Sequence, residues 1–206
     1  MTIARRKATL IGLVLIAGLM AGCTRATKPV QFYRLTAETG ISTATPLPTT
    51  AKSPLIGLGM IRLPDYLNRP QIVVAIADNQ YQLSEEHRWA ERLDQNIALA
   101  LYKALPSQLG TDRLVRYPWA QRLSVDYQVD IDILEFNVDA QGQSRLTAQW
   151  TIKRPGQASI DKRSTYQAPA STTDYPVMVK AQSLCLSQLG AEIAHSLRQL
   201  LVADKR

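Results

Sequence analysis

The spacing of apolar residues predicts two long amphipathic helices. The apolar positions of the first are Trp89, Leu93, Ile97, Leu101 and Leu105. Ser84 would cap this helix and Pro106 would stop it, which predicts a helix from about Glu85 to Leu105. The second helix is expected from about Val177 to Leu201. Its apolar stripe consists of Leu186, Leu189, Ile193, Leu197 and Leu200.

Alternating apolar and polar residues predict an antiparallel meander in the second half of the chain. From Ser124, apolar residues take every second position through Ile133, and the phase then shifts, which indicates a β-bulge near Ile133. Two further alternating strands follow at about 146–152 and 160–166. These three strands should keep one face in water.

Shorter strands are predicted in the first half of the chain. They are Val30–Leu35, Leu55–Leu63 and a hairpin of Gln71–Ile76 with Gln80–Leu83. Gly57 and Gly59 lie in the second of these strands. Because no third glycine, lysine or helix start follows, they indicate a bulge or a close backbone contact rather than a phosphate-binding loop.

These elements together predict an α+β fold. We expect a mixed, largely antiparallel sheet with two long amphipathic helices packed on one of its faces. Residues 30–206 are enough for one domain with a single core. The segment 36–53 is rich in Pro, Thr, Ser and Ala without periodicity, so it is expected to be a loop.

The first 22 residues have the pattern of an export signal. A basic cluster at positions 5–7 precedes an apolar run from Ala8 to Leu19, and small residues follow before Cys23. As a helix this run would extend only about 18 Å, against roughly 30 Å for a bilayer core, so it is too short for a permanent span. We expect residues 1–22 to be removed and residues 23–29 to form a tether.

Cys23 resembles the lipobox cysteine of bacterial lipoproteins, whose thiol carries a diacylglyceryl group. The alternative is a secreted protein cut near Gly22, which leaves a lone exposed thiol beside the cut unexplained. An N-acyl diacylglyceryl lipid on Cys23 would hold the protein firmly on a membrane. Thr24 stands where retention in the inner membrane usually requires Asp, which favours the periplasmic face of the outer membrane. No other cofactor and no metal is expected.

Charge and cysteine content narrow the function classes. The formal charge of +7 falls to +4 when the three basic residues of the signal are removed. This charge is too small to support nucleic-acid binding, so no nucleic-acid partner is expected. Once Cys23 is acylated, Cys185 has no disulfide partner in the chain and is expected to be a small buried residue of the second helix.

The segment from Leu63 to Pro70 is the candidate contact surface. Two prolines restrict its backbone, and its Asp and Asn side chains can bond to that backbone, so the loop should be rigid. The predicted interface residues are Pro64, Asp65, Tyr66, Leu67, Arg69, Pro70 and Trp89. The alternative is that Tyr66 and Leu67 fold back as a core plug while Arg69 caps a strand end.

No catalytic site is predicted, and the chain is not expected to be an enzyme. His87 and His195 lack metal-ligand spacing and are expected at surface or boundary positions of the helices. Asp126, Asp130 and Asp132 could pair as acid and base or bind calcium, but evenly spaced carboxylates are typical of a solvated strand face. The sequence contains no Gly-x-Ser-x-Gly, HExxH or phosphate-loop motif.

Several motifs together resemble the PqiC (YmbA) family of ABC-type transport auxiliary lipoproteins. They are Cys23, Phe32-Tyr33-Arg34-Leu35, the run LPDYLNRPQIV from Leu63 to Val73, Arg88-Trp89-Ala90-Glu91 with Leu93, Asp94 and Asn96, the strand from Tyr127 to Phe136, and Ala148 to Ile152. The resemblance covers essentially the whole mature chain. Asn68 departs from the acidic residue that is usual in the family, and Arg92 from a small residue or proline.

This resemblance implies an outer-membrane component of an MCE-type lipid transport system. In such a system a periplasmic tunnel, built by a PqiB-like MCE-domain protein, bridges two membranes, and PqiC-like proteins are implied to form a ring-shaped homo-oligomer at its outer end. The expected partners are this tunnel protein, outer-membrane lipid and further copies of the chain. The alternatives are a lipoprotein that activates a peptidoglycan synthase or pilots a secretin, and an anchored hydrolase using the Asp126–Asp132 face.

Overall fold

The computed structural model describes residues 28–37 and 53–204. The predicted signal peptide, Cys23, most of the tether and most of the loop 36–53 lie outside these residues. In chain order the elements are β1 (Gln31–Tyr33), β2 (Ile56–Arg62), a 3-10 turn (Asp65–Leu67), β3 (Gln71–Ala77), β4 (Gln80–Trp89), α1 (Leu93–Leu109), β5 (Leu114–Arg116), β6 (Tyr127–Val138), β7 (Gln143–Lys153), β8 (Ile160–Pro169) and α2 (Tyr175–Ala203). The α+β prediction is confirmed.

The described strands form one eight-stranded mixed sheet in which β6 is the junction. The strand order is β1-β4-β3-β6-β2-β5, and β7 and β8 continue from the other edge of β6. The first half of β6 pairs in parallel with β2, and its end pairs with β3 through Val138 and Val74. The longest pairings, β6–β7 and β7–β8, are antiparallel. The predicted meander is therefore confirmed, as is the bulge, which lies between Ile133 and Glu135.

Both helices cover the same face of this sheet and enclose one core. Helix α2 packs on β6, β7 and β8, while α1 packs on β2, β5 and α2. The apolar stripe predicted for α2 is buried at Leu186, Leu189, Ile193 and Leu197. Asp174 caps this helix by accepting a hydrogen bond from the Val177 backbone N–H at 3.2 Å. The sequence therefore placed α2 within two residues of its observed start.

The prediction of a helix from Glu85 was wrong over its first eight residues, which belong to β4 and the turn after it. This part of β4 pairs with β1, where Phe32 lies opposite Arg88 and Tyr33 opposite Trp89. Ser84 caps no helix, because its Oγ accepts a hydrogen bond from the His87 N–H within the strand. Trp89 enters the helix-covered core from a strand, so its helical spacing was misleading.

Helix α1 also continues past Pro106, where the sequence predicted its end. Proline removes one hydrogen bond from a helix interior. The last turn is nevertheless kept, because Leu105 and Leu109 are buried in the core. The helix ends at Gly110, whose φ of 70° is left-handed and whose N–H donates to the Pro106 carbonyl at 2.9 Å. The short strand β5 that follows was not predicted.

The two glycines of β2 confirm the predicted close contacts. A Cβ atom at Gly59 would lie 2.0 Å from an Asp130 carboxylate oxygen, and one at Gly57 would lie 2.9 Å from the ring of Trp119. The register between β2 and β6 shifts between Leu58 and Ile61. These positions allow neighbouring strands and side chains to approach the backbone closely.

Candidate functional site

The candidate loop between β2 and β3 is fixed by its own backbone hydrogen bonds. The Leu67 N–H donates to the Pro64 carbonyl at 3.0 Å, which closes the 3-10 turn. The Trp89 N–H donates to the Pro70 carbonyl at 2.7 Å and ties the end of the loop to β4. The loop therefore has a defined conformation, as its two prolines led us to expect.

Two of the predicted interface residues, one in the loop and one at the end of β4, are buried and support the loop from inside. Leu67 is 2% exposed and Trp89 5%, so both are part of the core. Tyr66 is half buried, stacks on Tyr81 with ring centroids 4.7 Å apart, and donates to Asn137 Oδ1 at 3.3 Å. Burial raises the pKa of Tyr66. The core-plug alternative is thus correct for Leu67.

The outward side of the loop consists of Asp65, Asn68 and Pro70, which are exposed. Arg69 is partly buried. Within the described residues its Nε has no hydrogen-bond partner, so this atom does not form the strand cap that the alternative predicted. The interface itself stays a prediction. Of the loop residues, the exposed ones are those that can contact a partner protein directly.

A groove of about 470 Å³ adjoins this loop. It combines residues of β2, the loop, the start of α1 and the segment after β5. They are Gly59, Met60, Ile61, Leu63, Asn68, Arg92, Asp94, Gln95, Ala98, Arg116, Tyr117 and Pro118. No pattern in the sequence indicates this groove, because the tertiary fold assembles it from four separate segments, the last of which begins at Arg116 in the unpredicted strand β5.

The groove combines positive charge with exposed apolar surface. The Arg92 guanidinium lies 2.9 Å from an Asp94 carboxylate oxygen, so part of its charge is compensated locally. Arg116 is exposed, and Met60 and Tyr117 keep 45% and 49% of their surface accessible. Arginine beside tyrosine and methionine is typical of protein contact surfaces. The groove and the exposed side of the loop therefore form a continuous candidate interface, joined at Leu63 and Asn68.

The carboxylates of Asp130 and Asp132 in β6, and that of Asp126 directly before it, are engaged in ion pairs or hydrogen bonds. Lys153 Nζ lies 2.7 Å from Asp130, and Arg62 binds both oxygens of Asp132. The hydrogen bond from Arg62 lowers the pKa of Asp132. Asp126 accepts a hydrogen bond from the Leu55 N–H at 2.7 Å. These contacts give the carboxylates structural roles, and the absence of catalysis stays a prediction.

Metal binding finds no support in the part of the chain that the structure describes. Residues 28–37 and 53–204 contain no group of three or more His, Cys, Asp or Glu side chains that could hold a metal ion. Cys185 is fully buried, as predicted, and burial raises the pKa of its thiol.

The two histidines have different surroundings. His195 is exposed on α2, in accordance with the expectation. His87 lies in β4 and not in a helix, which corrects its expected position. Its ring stacks on Tyr175 with centroids 3.7 Å apart, and its Nδ1 lies 2.9 Å from the Tyr33 hydroxyl. The ring thus joins β1 and β4 to the start of α2.

Neither described helix, α1 or α2, is long and apolar enough to cross a membrane.

The chain belongs to the family of ABC-type transport auxiliary lipoprotein components, whose family model matches residues 33–194. It is 27% identical to the intermembrane transport lipoprotein PqiC of Escherichia coli strain K12 over 190 residues, which are 91% of this chain and 97% of PqiC. PqiC of Shigella flexneri matches with the same values. The family recognised from the sequence motifs is confirmed.

Solved structures share the fold over most of its length. A protein of Xanthomonas campestris, XCC0632, superposes with a TM-score of 0.67 at 17% identity, covering 85% of this chain and 97% of its own. A second crystal structure, of an uncharacterised protein, gives a TM-score of 0.66 at 22% identity, covering 82% and 99%. At these identities the likeness concerns the fold alone.

Proposed function

We propose that this chain is an outer-membrane lipoprotein of an MCE-type intermembrane lipid transport system. In this proposal Cys23 carries the acyl chains, and the folded domain docks the periplasmic tunnel of a PqiB-like MCE-domain protein as a ring-shaped homo-oligomer. Family membership and the similarity to PqiC along 91% of the chain support a transport role. Thr24 after the cysteine favours the outer membrane.

The observation that carries the docking role is the separation of the anchored edge from the groove. Lys28 follows Cys23 by five positions, so it lies within about 18 Å of the acylated cysteine. Strand β1 is therefore held near the bilayer. In the strand order β1 is at one end and β5 is at the other, and the groove lies beside β2 and the segment after β5. One edge can thus be anchored while the groove stays free for a protein.

Anchoring also compensates for weak individual contacts. A tethered domain has a raised effective concentration near other components on the same membrane, and several copies in a ring multiply this effect. An interface of moderate size, such as the groove and the exposed side of the loop, is therefore sufficient for stable docking in an assembly.

Charge reversal at the candidate interface tests the docking role. Arg116→Glu in the groove and Asp65→Lys in the loop should each reduce co-purification of the MCE-domain protein from native membranes, because both side chains are exposed at the interface. Asp112→Lys is the matched control, since Asp112 is exposed in the turn before β5 and does not line the groove. Wild-type amounts of captured tunnel protein with both interface variants would contradict this interface.

The identity of the partner tests the function itself. Crosslinking followed by purification of the wild-type lipoprotein should recover the MCE-domain protein and further copies of the chain. Recovery of a peptidoglycan synthase or a secretin instead would replace the transport proposal with the activator or pilot alternative.

The anchor has a separate test. Mass spectrometry of the protein from its native host should find residue 23 as the N-terminus with an N-acyl diacylglyceryl group. Cys23→Ser should remove this group and the acyl-dependent membrane anchoring. A bare cysteine in the wild-type protein, or its recovery only in the soluble fraction, would disprove the anchor.

A further inference from the structure

Four exposed apolar side chains lie in or directly before the two strands at the anchored edge of the sheet, β1 and β4. Phe32 in β1 is 66% exposed, the largest value among the large hydrophobic side chains that the structure describes. Three others lie in the same region and have exposures between 38% and 44%, namely Val30, Tyr81 and Leu83. We call these four residues the apolar strip. Folding leaves its surface in contact with water, which is costly unless something covers it.

The strand register places three residues of the apolar strip, Phe32, Leu83 and Tyr81, on one face of the sheet. Directly paired residues project to the same side, and so do residues two positions apart in a strand. Phe32 pairs with Arg88, and Arg88 pairs with Gln71 of β3. The next two residues on that side of β3 are Val73, which pairs with Leu83, and Ala75, which pairs with Tyr81. Val30 lies directly before β1, two positions before Phe32, where the register no longer fixes the face.

This face is the one without helices. Tyr33 and Trp89, which are paired, project to the opposite side, where Trp89 is buried in the core and Tyr33 contacts the Tyr175 ring at the start of α2. The Leu63–Pro70 loop covers part of the helix-free face, because the ring of Tyr66 in the loop stacks on the ring of Tyr81. Among the described segments, β1 lies at the end of the strand path, so no further strand covers Phe32.

The position of the lipid anchor identifies what covers the strip. Val30 and Phe32 follow Cys23 by seven and nine positions, which limits their distance from the acylated residue to about 25 and 32 Å. The tether therefore keeps both side chains within reach of the bilayer in which the acyl chains are buried. An apolar surface held beside a membrane gains free energy when it enters the boundary between headgroups and acyl chains.

The charges around the strip suit a lipid surface. Lys28 and Arg34 flank β1, and both are exposed. Two acidic residues of β4 are compensated, since Glu86 pairs with Lys28 at 3.7 Å and Glu85 with Arg88 at 3.2 Å. Arg34 forms no ion pair with another described residue, and its guanidinium can bind phosphate groups of lipids when the strip is inserted.

We propose that the apolar strip inserts into the membrane that holds Cys23 and forms a second, non-covalent membrane contact. This inference rests on the proposed acylation. The covalent lipid holds the domain on the surface, and the strip fixes its orientation, because a single tether leaves a domain free to rotate. Insertion of the helix-free edge at β1 directs the opposite end of the strand path, with the groove, away from the bilayer.

A fluorescent probe at Phe32 tests the insertion. Phe32→Cys is introduced into the acylated full-length mature protein, which is then reconstituted in vesicles of phosphatidylethanolamine and phosphatidylglycerol. Cys23 is blocked by its lipid and Cys185 is fully buried, so a polarity-sensitive thiol dye labels position 32 alone. Tyr117→Cys is the matched control, because Tyr117 has comparable chemistry and exposure but lines the groove.

The expected result is a blue shift of the probe at position 32 and quenching by lipids brominated near the headgroup end of the acyl chain, about 5–10 Å deep. The probe at position 117 should keep its aqueous spectrum and its emission. A Leu83→Cys probe should follow position 32 if the whole strip inserts. Equal spectra and no quenching at positions 32 and 117 would overturn the proposal.

The other outcomes separate this inference from the proposed function. A dye at position 32 that is blue-shifted but not quenched by brominated lipid, together with a disulfide between two copies of the unlabelled Phe32→Cys protein after treatment with a mild oxidant, would make the strip a subunit interface and overturn the membrane contact. Its anchor would remain intact. Protein from the native host with an unmodified Cys23 would disprove the anchor itself, and the inference that rests on it would fail as well.

Discussion

At the residue scale, Gly59 contributes to stability because atoms of the neighbouring strand β6 approach its backbone too closely for a side chain. Gly59→Ala should lower the free energy of unfolding by about 1–3 kcal/mol, because the added methyl group would overlap an Asp130 carboxylate oxygen and approach the Val129 carbonyl. The measurement is urea unfolding of the wild-type and variant proteins. Gly190→Ala in α2 is the control, since its Cβ would meet the flexible end of Leu101 at 3.1 Å and alanine favours the helix. Equal effects of the two substitutions would contradict this explanation.

The ion pair between Arg62 and Asp132 makes stability dependent on acid pH. The pKa of Asp132 is lowered in the folded protein from its ordinary value of 3.8, so the pair contributes stability above that pH. The contribution is lost as the pH falls through the lowered pKa. Asp132→Asn should therefore cost about 0.5 kcal/mol at neutral pH and nothing once wild-type Asp132 is protonated.

Urea unfolding at neutral pH and at a series of decreasing acid pH values follows the loss of this difference. Asp112→Asn provides the comparison, because Asp112 is an exposed carboxylate outside the β6 ion pairs. An Asp132→Asn variant that is equally destabilised at all of these pH values would show that the pair contributes packing rather than charge.

At the scale of elements, α1 and β4 show how tertiary pairing overrides local preference. The segment from Ser84 to Trp89 has a helix-start signature, yet pairing with β1 and β3 makes it a strand. Pro106 in turn is accepted inside α1 because burial of Leu105 and Leu109 offsets the missing backbone hydrogen bond.

Replacing this proline should stabilise the helix. Pro106→Ala restores an N–H donor to the last turn of α1 and should raise the free energy of unfolding by about 1 kcal/mol. This is less than the full difference in helix propensity of about 3 kcal/mol, because the unfolded chain also gains conformational freedom. Chemical denaturation measures the change, and far-UV circular dichroism confirms that the helix content is preserved. A loss of stability would indicate that the proline ring makes packing contacts that alanine cannot replace.

At the scale of the whole molecule, β6 joins two groups of strands under one helical layer. Strands β1, β4 and β3 meet β6 through Val74 and Val138, while β2, β7 and β8 pair along its length. The core is nevertheless continuous, since Trp89 of β4 and Trp150 of β7 belong to the same buried cluster.

A continuous core predicts a single unfolding transition. Trp119→Phe is combined with one further substitution so that a single tryptophan remains. Circular dichroism and tryptophan fluorescence should give coincident denaturation midpoints both with Trp89→Phe, which leaves Trp150 in β7, and with Trp150→Phe, which leaves Trp89 in β4. Within either variant, a fluorescence midpoint that differs from the circular dichroism midpoint would show that the two groups of strands unfold independently.

By itself, the sequence determined the elements whose signals are local and periodic. The alternation in β6, β7 and β8, the bulge near Ile133 and the apolar stripe of α2 each follow from which face of a strand or helix is buried. The motifs in the Leu63–Val73 run and around Trp89 were also sufficient to recognise the family.

Only the tertiary structure decided the course of β4, the strand order and the assembly of the groove. Parallel pairing with β1 depends on a strand more than fifty residues earlier, and the groove brings together Met60, Arg92 and Tyr117 from separate elements. It also decided that Leu67 and Trp89 support the loop from inside, while Asp65 and Asn68 face water. Contacts between distant residues leave no periodic signal in the chain, because their energy comes from burial and hydrogen bonding that exist only after folding.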